Sequence, residues 1–255
     1  MLAVERLSSI TEALNMNDSV SVSELSKNLN VAEETIRRDL EKIVKGDHTV
    51  VRVHGGAYKI KTFDREAPYQ LRETLLVEEK SRIAQTSLGF INDGETIMLD
   101  SSTTALHLAR LIKNSAMKIS IITNSLTIAS TLADCAHTNL IVAGGQYRLS
   151  SRSFVGYSAT NALEEYHADK AFISCSGIHE KFGLTDNSQS EAQVRRMMLD
   201  QSDHRYLLID TDKFGRCKDY RIAQLKSMHV MITNGEPDIG LRNALEKNGA
   251  ELIVC

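Results

Sequence analysis

Residues 32–43 read AEETIRRDLEKI, a segment that contains two adjacent arginines among acidic side chains. Its apolar residues recur three or four positions apart, which predicts an amphipathic helix from Glu33 to about Lys45. With about 100° per residue, the apolar face consists of Ile36, Leu40, Ile43 and Val44. The opposite face consists of Glu34, Thr35, Arg38, Lys42 and Lys45, with Arg37 on its flank. The arginines therefore either balance their acidic neighbours in solvent or bind a partner outside the helix.

The segments on either side of this helix bear on that choice. Before it, the spacing of Leu7, Ile10 and Leu14 predicts a first helix. SELSKNL, residues 23–29, predicts a second helix with Ser23 as its N-cap, and NVA is a tight turn into the third. After it, TVVRVHGGAY, residues 49–58, predicts a β-hairpin or wing.

A charge run alone favours a solvated helix, in which Arg37 attracts Glu41 while Arg38 and Lys42 repel each other. The succession of helix, turn, helix and wing favours DNA binding, because the second helix of that motif enters the major groove. Arginine can bond guanine O6 and N7 bidentately, and threonine can contact a thymine methyl group or a phosphate.

The composition is that of a globular protein. The 255 residues are 42% hydrophobic and 25% charged, and the formal net charge of −3 neither supports nor excludes nucleic-acid binding. No apolar run approaches the roughly 18 residues that span a bilayer, and Glu5, Arg6 and Glu12 argue against a signal peptide. Four widely spaced cysteines predict reduced thiols in the cytoplasm. Eight histidines without ligand spacing predict no metal site, and no cofactor is expected.

The pattern along the chain predicts a DNA-binding domain over 1–58, a linker over 59–76 and an α/β domain over 77–255. In the last region helical stretches alternate with short apolar runs, which predicts βαβ units and a mostly parallel sheet. The runs are TIMLD, ISIIT, LIVAGG, AFISC, YLLID, VMIT and ELIVC. Several end in polar or glycine-rich clusters, and open α/β sheets bind ligands beyond the carboxyl ends of their strands.

Those clusters supply a candidate ligand site. Hydroxyl and N–H groups where a strand meets a helix suit a phosphate, although a simple N-cap needs only one hydroxyl. Glu191 is equally well a solvated helical carboxylate, and Lys170, at the start of a strand, is at least as well explained by a salt bridge. The predicted effector-binding residues are Asp100, Ser101, Ser102, Thr103, Thr104, Asn124, Gly144, Gly145, Arg148, Lys170, Glu191 and Lys213.

VSVSELSKNLNVAEETIRRDLEKI followed by RVHGGA resembles the DeoR family of bacterial transcriptional regulators. The resemblance continues through EEKSRIA, DGETIMLDSSTTALHLAR, ITNSL, VAGGQYR, ADKAFISCSGI, GLT and LIDTDKFG, and so covers nearly all of the chain. It implies a winged helix-turn-helix and a Rossmann-like sensor domain similar to ribose-5-phosphate isomerases and CoA transferases. Such domains typically sense a phosphorylated sugar or a related metabolite. SSTTALHLAR, SCSGI and LLIDTDKF also resemble the fucose-operon members.

The resemblance implies that Thr35, Arg37 and Arg38 contact DNA and that RVHGGA is the wing. The predicted DNA-contacting residues are Ser23, Glu34, Thr35, Arg37, Arg38, Lys42, Arg52, His54 and Gly55. Ala32 stands where the family usually has serine, which removes a side-chain N-cap worth about 1 kcal/mol. KGDHTVV replaces the usual glycine-then-leucine entry to the wing, and Ser102 stands where the family commonly has glycine.

The rival interpretation is an enzyme, with Asp100, Asp169, Lys170 and Glu191 as the acid/base set of a sugar-phosphate isomerase. An isomerase has no use for a DNA-binding module, and no GxSxG nucleophile motif is present. We therefore predict a regulator without enzymatic activity, most simply a repressor of a sugar-utilisation operon, with an activator left open. Its predicted partners are operator DNA and a phosphorylated sugar, not a membrane. Palindromic operators require at least a homodimer, and a homotetramer is the alternative.

Overall fold

The computed structural model describes residues 2–17, 19–47, 50–53, 55–59 and 69–255. The chain divides into two compact units, Met1–Leu75 and Leu76–Cys255. The linker predicted over 59–76 overlaps regular structure at both of its ends. Lys59 ends a strand and Tyr69–Thr74 is helical, while 60–68 lie outside the described residues.

The first unit combines helices with a small antiparallel sheet. Its elements are α1 (Ala3–Asn17), β1 (Ser19–Ser21), α2 (Val22–Leu29), α3 (Glu33–Gly46), β2 (Val50–Val53), β3 (Gly56–Lys59) and α4 (Tyr69–Thr74). The three predicted helices and the predicted hairpin β2–β3 are confirmed. Strand β1 was not predicted, because three residues are too few to show the alternation of apolar and polar side chains that indicates a strand. It pairs with β3, which gives the order β1-β3-β2.

The core of this unit confirms the apolar face predicted for α3. Ile36 and Leu40 are fully buried, and Ile43 and Val44 pack against the same cluster. Asp39 is also buried, and its carboxylate accepts a hydrogen bond from Arg6 Nε at 2.5 Å. This ion pair links α3 to α1 and was not visible as a pattern in the sequence.

Helix α2 begins at a different residue from the one predicted. Its N-cap is Ser21, whose hydroxyl accepts a hydrogen bond from Glu24 N at 3.3 Å. The prediction of Ser23 was wrong because the helix already begins at Val22, so that Ser23 lies inside the first turn. Ser23 is exposed, and its hydroxyl is 2.8 Å from that of Ser21.

The second unit is built on an open parallel sheet. Its elements are α5 (Val77–Leu88), β4 (Thr96–Leu99), α6 (Thr103–Lys113), β5 (Ile119–Thr123), α7 (Leu126–Leu132), β6 (Thr138–Val142), β7 (Gln146–Arg148), β8 (Ser153–Val155), α8 (Tyr157–Glu164), β9 (Ala168–Ile173), β10 (Gly177–His179), β11 (Gly183–Asp186), α9 (Gln189–Asp200), β12 (Ser202–Ile209), β13 (Tyr220–Ala223), β14 (Val230–Thr233), α10 (Ile239–Lys247) and β15 (Glu251–Val254).

All seven apolar runs are confirmed as strands of one sheet, in the order β15-β14-β12-β9-β4-β5-β6, and every neighbouring pair is parallel. From β4 the chain moves outward through β5 and β6, then crosses to the other side of β4 and continues from β9. The order therefore reverses between β4 and β9. In open α/β sheets the crevice at such a reversal, beyond the carboxyl ends of the strands, is the usual ligand site.

Two smaller sheets lie outside the predicted pattern. Strands β7 and β8 form a hairpin, and β10, β11 and β13 form an antiparallel sheet. The main core consists of buried side chains from the central strands and from helices α8, α9 and α10. Among the described residues, no helix combines the length and apolar character that crossing a membrane requires.

Candidate DNA-binding surface and effector site

Helix α3 is fixed at its start by a tight turn from α2. Asn30 adopts a left-handed conformation with φ 51°, which asparagine tolerates better than most residues. Ser26 holds the turn, because its hydroxyl donates to Val31 O at 2.7 Å and its carbonyl accepts from Val31 N at 3.2 Å. The apolar face of α3 therefore packs in the core of this unit, and its polar face is exposed to solvent.

The adjacent arginines both lie on the exposed surface of α3. Arg37 is bonded to Glu33 at 2.7 Å and lies 3.6 Å from Glu34. The side chain of Arg38 is 74% exposed, and its nearest acidic group is Glu34 at 3.5 Å. Glu34 therefore lies between the two guanidinium groups. Exposed pairs of this kind contribute about 0–1 kcal/mol, so both arginines can exchange these partners for a stronger one.

The wing supplies a further arginine next to α3. Arg52 on β2 is paired with Glu41 of α3. The predicted attraction between Arg37 and Glu41 is therefore not formed, because each has a different partner. Gly55 has φ +92°, a conformation that suits glycine, and a side chain on Gly56 would collide with the carbonyl of Val20. The two glycines thus let β3 turn and pack on β1.

The other predicted DNA contacts are distributed over the same unit. Glu34 and Lys42 are exposed on α3, and Thr35 is partly buried. Lys42 lies 4.0 Å from the buried Asp39. Arg52 and Gly55 are exposed in the wing, whereas His54 lies outside the described residues.

Asp100 follows β4 and is fully buried. It lies beyond the carboxyl ends of β4 and β9, where the strand order reverses, and this place is the β4–β9 crevice. One carboxylate oxygen accepts from Ser102 N at 3.1 Å, and the other accepts from Ser174 N at 3.0 Å and from Arg195 Nε at 2.7 Å. Because Ser174 follows β9, Asp100 joins the two strands at the point where the sheet order reverses.

Glu191 is a second buried carboxylate at this edge. Ser151 and Ser153 donate to its Oε1 at 2.6 and 2.5 Å, and Ser101 donates to its Oε2 at 3.0 Å. Burial by itself would raise the pKa of Glu191, but Arg195 and the serine hydroxyls outweigh burial and hold that pKa below its usual value. The interpretation of Glu191 as a solvated helical carboxylate is therefore wrong.

Arg195, four residues later on α9, connects these carboxylates. Its guanidinium is buried, donates to Asp100 at 2.7 Å and to Asp186 at 2.6 Å, and lies 3.6 Å from Glu191. Burial would lower the pKa of Arg195, but Asp186, Asp100 and Glu191 raise it well above its ordinary value. Asp186 and Arg195 were both missed in the sequence, where the spacing of four between Glu191 and Arg195 was the available signal.

The hydroxyl cluster Ser101–Thr104 lies where β4 leads into α6, as predicted, but all four residues are buried. Ser102 is the N-cap of α6, and its hydroxyl accepts from Ala105 N at 3.1 Å. The N–H groups of Thr103 and Thr104 lie in the first turn, where a helix offers them no acceptor. The cluster thus combines a cap with backbone donors suited to an anion.

Three of the remaining predicted residues, Asn124, Arg148 and Lys213, lie beside this edge. Asn124 follows β5, donates through Nδ2 to Phe154 O at 3.0 Å, and has a buried Oδ1 without a hydrogen-bond partner among the described residues. Arg148 donates to Ser151 Oγ at 3.1 Å. Lys213 follows β12 and is close enough to Cys175 to influence its pKa, which burial raises to about 12.

Gly144 and Gly145 follow β6 with positive φ angles of 65° and 114°. A side chain on Gly145 would lie 2.8 Å from Val155 O and 2.9 Å from Ala159 Cβ. Gly145 therefore allows the β7–β8 hairpin and α8 to pack closely. This packing accounts for Gly145 without the ligand approach that the sequence suggested.

Lys170 is not brought to this edge. It lies in the first half of β9 and pairs with Glu95, which precedes β4, at 2.5 Å. Its neighbour Asp169 accepts from Thr96 N at 2.7 Å. Both residues belong to the amino-terminal edge of the sheet, so the salt-bridge alternative accounts for Lys170. The acid/base set of the enzyme interpretation is divided between the two edges.

Two family models match most of the chain. A family model described as the DeoR-like helix-turn-helix domain matches residues 6–63, and one described as the DeoR C terminal sensor domain matches residues 76–235. The HTH-type transcriptional regulator YulB of Bacillus subtilis is 37% identical and covers 96% of this chain and 94% of its own.

Two further relatives have more specific names. The HTH-type transcriptional repressor GlcR of Bacillus subtilis is 31% identical, with 100% of this chain and 97% of its own covered. The L-fucose operon activator of Haemophilus influenzae is 30% identical, with 88% and 89% covered. A solved ribose 5-phosphate isomerase A from Methanocaldococcus jannaschii covers 54% of each chain at 17% identity and a TM-score of 0.41, a partial likeness without functional weight.

Proposed function

The chain belongs to the DeoR family of DNA-binding transcriptional regulators, and from that premise we propose that it represses a carbohydrate-utilisation operon until a phosphorylated sugar binds its C-terminal domain. The observation that carries the DNA-binding part is the amphipathic α3, with a buried apolar face and Arg38 exposed on the other side. In a winged helix-turn-helix this helix enters the major groove, where arginine reads guanine.

The effector part is supported by the charges at the β4–β9 crevice. Asp100, Asp186 and Glu191 all contact Arg195 and together carry more negative charge than its single positive charge, so that network by itself would repel an anion. Arg148 and Lys213 add positive charge at the edge, and the first turn of α6 adds N–H donors. Asn124 Oδ1 is a suitable acceptor for a sugar hydroxyl. A phosphate with attached hydroxyl groups interacts with both the positive charges and the amide acceptor, whereas a neutral sugar gains little from the positive charges.

Repression is favoured because a repressor stands among the most similar named relatives, GlcR at 31% identity. The activator alternative has its own relative, at 30% identity. We propose at least a homodimer on DNA, since two half-sites about one helical turn apart need two recognition helices. Effector binding must favour one arrangement of the DNA-binding domains, because equal affinity for both arrangements shifts no population.

The test is a thermal-shift screen of sugar phosphates and the matching free sugars, followed by operator release in gel shifts. A ligand at 100 times its Kd stabilises the folded state by about 2.7 kcal/mol, which such a screen detects. Lys213→Ala, which removes a positive charge, and Thr103→Ala, which removes a hydroxyl group beside the N–H donors, should lose the response to the effector and keep operator binding. Lys226→Ala is the matched control, because Lys226 lies in a similar short helix before β14, at the amino-terminal edge of the sheet.

Two results would refute the proposed effector site. One is a free sugar that releases the operator as well as its phosphate does. The other is a wild-type effector response in both Lys213→Ala and Thr103→Ala, which would leave the hydroxyl cluster as a helix cap only.

A further inference from the structure

The carboxylates at the β4–β9 crevice have little capacity left for a ligand. Asp100 accepts three hydrogen bonds, from Ser102 N, Ser174 N and Arg195 Nε, and is fully buried. Glu191 accepts from three serine hydroxyls and lies against Arg195. A carboxylate has about four acceptor positions, so both groups are nearly saturated by the protein itself.

Asp100 and Glu191 connect separate segments of the chain around the crevice. Asp100 holds the start of the loop that leads into α6 and the segment after β9. Glu191 holds Ser101 in the same loop, and Ser151 and Ser153 in the β7–β8 hairpin. Three separate segments of the crevice are therefore attached to two carboxylates. Among the residues that the structure describes, Arg195 is the side chain that faces both carboxylates.

We propose that Arg195 is a positioning residue for the effector site: through Asp100 and Glu191 it fixes residues 100–104 and the hairpin serines in the arrangement that receives an anion. The choice of an anion rests on the proposed function, whereas the positioning of the loops does not. Arg195 does not contact the effector in this scheme. It acts through the carboxylates whose orientation it sets.

Arginine is suited to this role by its shape. A planar guanidinium donates through several N–H groups in fixed directions, so it can bond Asp100 and Asp186 at once while facing Glu191. Lysine has the same charge but concentrates it at one flexible ammonium group. Arg195→Lys therefore preserves the charge of the network and removes its geometry, which separates positioning from simple neutralisation.

The experiment uses the 255-residue chain with Arg195→Lys and, as the matched control, Arg196→Lys. Arg196 is the next residue of α9 but donates to the carbonyls of Arg221 and Ile222, away from the carboxylates. Amide hydrogen exchange is followed in segments 100–105 and 150–154. Affinity for inorganic phosphate is measured by calorimetry well below the melting temperature.

For Arg195→Lys we expect exchange to accelerate in those two segments and not in α3. Phosphate binding should weaken roughly tenfold, the scale of one hydrogen bond to the phosphate that displaced donors in residues 100–104 no longer make. Arg196→Lys should behave as wild type in both measurements. An arginine with a merely structural role would lower the melting temperature without changing the phosphate affinity of the folded molecules.

Wild-type exchange and wild-type phosphate affinity in Arg195→Lys would overturn the inference. If that variant does not fold, Ser153→Ala, which removes one hydroxyl from Glu191, decides: faster exchange in 100–105 supports the network and unchanged exchange refutes it. A wild-type protein that does not bind phosphate would refute the anionic effector of the proposed function, and the exchange measurement would then decide the network alone.

Discussion

Arg38 has two possible partners, Glu34 on its own helix and a base of the operator. The pair with Glu34 spans 3.5 Å between two exposed side chains, and such pairs contribute about 0–1 kcal/mol. A bidentate contact with guanine discriminates by about 1–3 kcal/mol, so the operator is the stronger partner.

Arg38→Ala is expected to weaken specific operator binding by about 5- to 150-fold, the equivalent of that contact, and to leave the fold intact. Gel-shift titration at one fixed salt concentration is the measurement, since affinity for DNA depends strongly on salt. Arg242→Ala is the matched control, because Arg242 on α10 is also exposed and lies 3.4 Å from Glu246, four residues away. Equal operator affinities for the two variants would mean that Arg38 only balances its acidic neighbours.

At the scale of the element, α3 begins without the side-chain cap that α2 has. Ala32 occupies the N-cap with φ −60° and ψ 143° and makes no side-chain hydrogen bond, whereas Ser21 caps α2. The missing cap was predicted from the sequence and is confirmed. Glu33 and Glu34 lie in the first turn, where negative charge interacts favourably with the helix dipole and offsets part of the loss.

Ala32→Ser should therefore stabilise α3 by about 1 kcal/mol, which slows amide exchange in that helix about fivefold. The backbone at residue 32 already has the extended conformation that a serine cap requires. Ser21→Ala is the reciprocal variant and should accelerate exchange in α2 by a similar factor. Unchanged exchange in both helices would show that tertiary packing, not capping, sets their stability.

At the scale of the whole molecule, the pattern of apolar residues predicted most of the helices and strands that were expected. The seven strands of the sheet follow from short apolar runs, helices α1 and α3 from apolar residues three or four positions apart, and helix α2 from a helical pattern with a serine at its start. Pairings between distant residues leave no such trace: Arg6 with Asp39 and Asp100 with Arg195 are separated by 33 and 95 positions. Strand order could not be predicted for the same reason, because it depends on pairing between distant segments. Lys170 was included among the effector-binding residues with a salt bridge as its alternative, and the structure shows the salt bridge, to Glu95.

The division of the sheet into two edges also bears on catalysis. An isomerase needs a base within hydrogen-bond reach of the proton it removes, but Asp100 is fully buried and bonded to Arg195, and Asp169 and Lys170 belong to the opposite edge. We therefore expect no turnover of ribose 5-phosphate or of fucose-pathway phosphates in an NMR time course. Asp100→Asn is the decisive companion variant. Turnover by the wild type that disappears in Asp100→Asn would establish Asp100 as a catalytic base, and the protein would then be an enzyme as well as a regulator.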